Sequence, residues 1–138
     1  MFESKNSRPT QKRLDSLIGA GTTVLGDVAF SGGLRIDGIV RGTVSTVENQ
    51  PGTLVISEHA RIEGEVHVSH VVINGSVTGP VSARDHLELQ AKAQVNGDVL
   101  YRTLEMHVGA IVQGKLVHAS PKEATHESAD IVELRRAE

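Results

Sequence analysis

The stretch "IDGIVRGTV", residues 36–44, sets apolar residues at Ile36, Val40 and Val44 and places a glycine midway in each interval, at Gly38 and Gly42. The spacing is too regular for a loop. It is also too rich in glycine for an ordinary strand, where glycine weakens pairing and leaves no side chain to bury. The same pattern of apolar, any, Gly, any, apolar recurs as "VLGDV" (24–28), "VRGTV" (40–44), "IEGEV" (62–66), "INGSV" (73–77), "VTGPV" (77–81), "VNGDV" (95–99) and "VQGKL" (112–116). This is an internal repeat, and its period decides the fold.

The fuller copies "ARIEGEV" (60–66), "AQVNGDV" (93–99) and "AIVQGKL" (110–116), with "TTVLGDV" (22–28) as a variant, define one glycine ladder: Gly26, Gly42, Gly64, Gly79, Gly97 and Gly114. Its steps are 16, 22, 15, 18 and 17 residues. The long step contains "TVENQPGT" (46–53), whose Asn, Pro and Gly mark an inserted loop. A period near seventeen is too short for helical repeats or a propeller blade. Stretches such as "HVSHVVI" (67–73) and "HLELQAKAQV" (86–95) fit a period of two. A coil of this length holds three short strands with bends between them, which is one turn of a β-solenoid. Glycine then belongs at corners, where a narrow core leaves little room for a Cβ and the backbone angles suit glycine best. Apolar neighbours point inward and stack on the next coil, and Asp37, Arg41, Glu63, Glu65 and Lys115 point to solvent. A set of hairpins in an antiparallel barrel is the competing arrangement, because "INGSV" and "VNGDV" contain Asn-Gly. Hairpins, however, use that pair in two-residue loops between longer strands.

The composition agrees with a narrow core. Among 138 residues the aromatics are Phe2, Phe30 and Tyr101, so Val, Ile, Leu and Ala must fill the interior. With no cysteine there are no disulfides, thiolate zinc sites or cysteine nucleophiles, and this fits a reducing cytoplasm. No apolar run is long enough to span a bilayer and no signal segment opens the chain, so a cytoplasmic protein is expected. Residues 1–18 read as a polar, disordered tail, 19–118 as the repeat domain and 119–138 as a second disordered tail. The net charge of −3 does not suit nucleic acid as a partner. The first tail carries Lys5, Arg8, Lys12 and Arg13 beside Phe2, which suits an anionic membrane surface.

An opening "MF", the run "SLIGAGTTVLGDVAFSGGLRIDGIVRGTV" (16–44), and then "ARIEGEV" and "AQVNGDV" resemble the bactofilin family of bacterial cytoskeletal proteins, over residues 16–118. The resemblance implies an all-β fold, a right-handed parallel β-helix of about six coils between disordered tails. It implies polymerisation without nucleotide into non-polar filaments by end-to-end stacking, and the organisation of cell-wall enzymes or other partners. In several members a short N-terminal membrane-binding motif begins Met-Phe and contains a lysine. Met1, Phe2 and Lys5 take those places here.

The residues add that no cofactor site is evident. No glycine run has the spacing of a phosphate-binding loop, and "GAGTTV" (19–24) has Val24 where a dinucleotide fingerprint wants a glycine. His67 and His70, three apart on a strand, would lie on opposite faces, a poor arrangement for a shared metal. No serine, histidine and acid pattern stands out, so catalytic and metal residues are expected to be absent. The alternative is a left-handed β-helix acyltransferase, built on hexapeptide repeats. Here the apolar ladders run in fours, at 36, 40, 44 and at 73, 77, 81.

A β-helix exposes unpaired backbone and an open core at each end unless a cap covers it. No amphipathic capping helix is read beside Gly19 or His118. The expected polymer interface is therefore Val24, Leu25, Val28 and Phe30 at one end, and Val108, Ile111, Val112, Leu116 and Val117 at the other.

Overall fold

A computed structural model describes residues 15–48 and 50–119. Among them the chain forms fifteen β-strands, numbered in chain order, and no helix. Every pairing is parallel. That rules out the antiparallel barrel and gives a three-sided β-solenoid of about six turns. One face stacks β2 (Thr23–Leu25), β5 (Ile39–Arg41), β8 (Arg61–Glu63), β10 (Ser76–Thr78), β12 (Gln94–Asn96) and β14 (Ile111–Gln113). The second stacks β3 (Val28–Phe30), β6 (Val44–Thr46), the first halves of β9 (Val66–Ile73), β11 (Val81–Leu89) and β13 (Val99–Met106), and then β15 (Leu116–His118). The third stacks β1 (Ser16–Ile18), β4 (Gly32–Ile36), β7 (Gly52–Ile56) and the second halves of β9, β11 and β13.

In-register stacking converts the sequence repeat into columns of like residues. Val24, Val40, Ile62, Val77, Val95 and Val112 form one inward column. Val28, Val44, Val66, Val81, Val99 and Leu116 form a second. Ile18, Ile36, Ile56, Ile73, Leu89 and Met106 form a third. The middle rungs are sealed from solvent, Ile36, Val40 and Val44 included. Each such side chain contributes about 1.5–3 kcal/mol by leaving water. β-Branched residues suit this work because they are stiff at χ1 and pack well on a pleated surface.

The ladder glycines are explained by contact between coils as well as by bending. A Cβ on Gly79, whose φ is +140°, would run into the carbonyl group of Gly64 one coil away, with its carbon at 2.8 Å. The same collision recurs from Gly42 onward, each ladder glycine sitting over the carbonyl of the one before. Gly26 begins the series and has no atom of the described chain within 4 Å of that position.

The inserted loop lies between β6 and β7, where the other coils run straight round the corner. Ser69 accommodates it. Its buried hydroxyl donates to the carbonyl of Gly52 (2.7 Å) and accepts from the Gly52 N–H (2.8 Å). Both backbone groups are thereby satisfied at a place where the strand ladder is interrupted. Arg84 on the next coil donates to the Thr46 hydroxyl at 3.2 Å and holds the loop from outside.

One boundary differs from expectation. The solenoid begins at Ser16 rather than Gly19, because β1 pairs with β4 through Ser16↔Leu34, Leu17↔Arg35 and Ile18↔Ile36. Only three residues are involved, and "SLI" alone is too short to show a period. At the other end β15 closes at His118, where the pattern in the sequence stops.

Candidate polymer interfaces at the solenoid ends

The two ends follow from the order of stacking. β1, β2 and β3 each pair with one strand only, as do β14, β15 and the second half of β13. Among the described residues, each end therefore presents three strand edges with open backbone hydrogen-bonding positions. Inside these edges the core columns finish in side chains that no other described residue covers. Ile18, Val24 and Val28 at the N-terminal end are only partly buried, and so are Leu104 and Val112 at the other. Met106 and Leu116, the last rungs of two columns, are 45% and 41% exposed.

The register sorts the expected interface residues into two kinds. Val24, Val28, Val112 and Leu116 are terminal rungs of inward columns and point into the open end of the core. Leu25, Ile111 and Val117 occupy outward columns instead, in register with Arg41, Gln94 and Leu100 respectively, so they sit on the sides. Leu25 is 74% exposed there. Val108 stands at the tip of the turn after β13 and is 97% exposed. Phe30 is on the end strand β3, but its ring is buried in the core, close to Gly52, where a Cβ would come within 2.9 Å of it. Glycine at position 52 leaves the room this ring needs. Ile18, Leu104 and Met106 belong to the end faces and were not singled out from the sequence. Ile18 falls before the first recognisable repeat, and Leu104 and Met106 follow Tyr101 in a coil with no ladder glycine beside them.

Between the exposed apolar residues near the two ends, the sides of the solenoid carry charged pairs that tie coils together. Arg41 meets Glu63 at 3.3 Å and Lys92 meets Glu58 at 3.1 Å. Hydrogen bonding from Lys92, and then its charge, hold the Glu58 carboxyl below the usual range. Asp37 is likewise held low, first by the Ser57 side chain and then by Arg35, whose Nε is 3.0 Å away. His67 and His70 do not take opposite faces. Ser69 between them turns a corner with its side chain inward, so both histidines point outward from different sides of the coil. They share no ligand position. Met1, Phe2 and Lys5 lie outside the described residues.

Residues 16–117 match the family model for bactofilin, described as polymer-forming cytoskeletal. The chain belongs to the bactofilin family. It is also 28% identical over 109 residues to bactofilin BacO of Myxococcus xanthus (strain DK1622), across 79% of this chain and 83% of that relative. No solved structure gives a significant match. The family match begins with β1 and ends within β15, so the bactofilin region and the solenoid coincide. As a bactofilin the chain is of a structural, polymer-forming cytoskeletal kind. Among the described residues, no helix is long and apolar enough to cross a membrane.

Proposed function

We propose that the chain assembles without nucleotide into non-polar filaments, by end-to-end stacking of solenoids with like ends joined. One observation carries this reading: among the described residues, both ends finish in parallel strands with one free edge around apolar rungs that nothing covers. Such an end gains twice by meeting another, through main-chain hydrogen bonds and through burial of rungs such as Val24 and Val28, or Val112 and Leu116. Assembly of this kind needs no switch, because the fold itself continues across the boundary. The same end geometry favours a polymer over an acyltransferase, the alternative from the sequence.

The filament works at the inner face of the cytoplasmic membrane, where it organises cell-shape or cell-wall machinery. Met1, Phe2 and Lys5 supply the lipid contact. One aromatic ring with a few basic residues binds weakly per subunit, and many copies along one polymer make the attachment effective. Negative-stain electron microscopy of the purified chain without nucleotide tests the assembly: long unbranched filaments are expected. Discrete trimers that bind an acyl-CoA would overturn it.

A further inference from the structure

The third face carries a group of side chains for which the polymer has no evident use. Glu88 and Glu105 are register partners on adjacent strands, so two carboxylates stand one above the other on the outer surface. Like charges directly opposite each other destabilise a sheet. A ring nitrogen of His86 and carboxylate oxygens of Glu88 and Glu105 lie within 4.8 Å of one another. His107, from the turn that follows β13, brings its Nε2 to 3.2 Å from Glu88 Oε2 and to 3.2 Å from Glu105 Oε2. The edge of a tetrahedron with metal–ligand bonds of ~2.0–2.1 Å is about 3.3 Å, so the His107 contacts already have the spacing of neighbouring zinc ligands.

The surroundings fix these donors. The Thr103 hydroxyl gives its proton to the Asp85 carbonyl at 2.9 Å. It must therefore accept from His86 Nδ1, 2.6 Å away. That hydrogen bond sets the His86 tautomer and leaves Nε2 with the free lone pair, as a metal-binding imidazole requires. Gln90 donates its amide to Glu88 Oε2 at 3.1 Å and orients that carboxylate. We propose that His86, Glu88, Glu105 and His107 form a binding site for one divalent cation of the zinc class, clamping the last coil of this face to the coil before it. Two imidazoles and two carboxylates suit Zn²⁺ and Co²⁺ better than Mg²⁺ or Ca²⁺, which prefer all-oxygen sites. Bound metal neutralises the stacked carboxylates and ties β11 to β13 beside the C-terminal end.

The test titrates the untagged, metal-free full chain with Co²⁺ alone, followed by visible absorption and by thermal unfolding. One Co²⁺ per chain is expected, with the intense bands of a four-coordinate ion, together with a higher midpoint of unfolding. H107A and H86A should each weaken binding at least tenfold, E88Q/E105Q should abolish it, and H67A should leave it unchanged. Wild-type chain that takes up no Co²⁺ at millimolar concentration would overturn the proposal. So would uptake that E88Q/E105Q and H107A both leave intact, which would place the ion elsewhere, such as on His126.

Discussion

Replacing Gly79 with alanine separates two explanations of the glycine ladder. Gly79 has φ +140°, and its Cβ would overlap the carbonyl group of Gly64 on the neighbouring coil. Holding a non-glycine residue at such a backbone angle costs about 1–3 kcal/mol. Forcing a methyl group into a filled contact between coils costs another 1–3 kcal/mol or so. The stiffer unfolded chain returns about 0.4–1 kcal/mol. The net expectation is a loss of about 1–5.6 kcal/mol, against the ~5–15 kcal/mol of a typical domain. Gly26→Ala is the internal control, because Gly26 has φ +136° but no described atom within 4 Å of its Cβ position. It should carry the backbone term alone, so the two variants should differ by roughly 1–3 kcal/mol. Urea unfolding followed by circular dichroism, at several protein concentrations to separate assembly from folding, measures both. Equal losses in the two variants would refute the close-approach argument and leave backbone angle as the sole reason for glycine.

Leu116→Arg should leave the solenoid folded and cut filament formation, since an unpaired charge buried at a junction costs about 3–5 kcal/mol, more than a hundredfold in affinity; sedimentation and electron microscopy read this. Ser69→Ala should cost about 2–4 kcal/mol of unfolding free energy, because both the N–H and the carbonyl of buried Gly52 lose their partner. Asp37→Asn should lower stability at neutral pH and matter progressively less as pH falls. The folded-state pKa of Asp37 is depressed, so its contribution is present above the unfolded value and is lost as pH drops through the folded one. Urea midpoints at pH 7 and pH 3 test the sign. Phe2→Ser with Lys5→Glu should abolish sedimentation with anionic vesicles while filaments persist, if the first residues make the lipid contact.

The period was legible because a solenoid writes its geometry into the sequence: each ladder glycine and each inward valine answers a position one coil away. What could not be read was register, which separates neighbours that look alike. Val24 and Leu25 are adjacent apolar residues, yet one ends a core column and the other faces sideways. Phe30 sits on an end strand as its place in the chain suggests, yet its ring is buried beside Gly52. Alternation also failed at His67 and His70, where the corner at Ser69 inserts an extra inward position. The grouping of His86, Glu88, Glu105 and His107 was hidden for a related reason. Its members are drawn from two coils, and Glu88 meets Glu105 only once the chain is wound at a period of seventeen.

The measurement that bears most directly on stacking is electron diffraction or cryo-electron microscopy of aligned filaments. Six coils at about 4.8 Å each give an axial length of about 29 Å per chain, and joining like ends doubles the repeat to about 58 Å. A strong meridional reflection near 4.8 Å with that longer repeat is the expected result. Coils lying across the filament axis, or filaments joined through the sides, would contradict it.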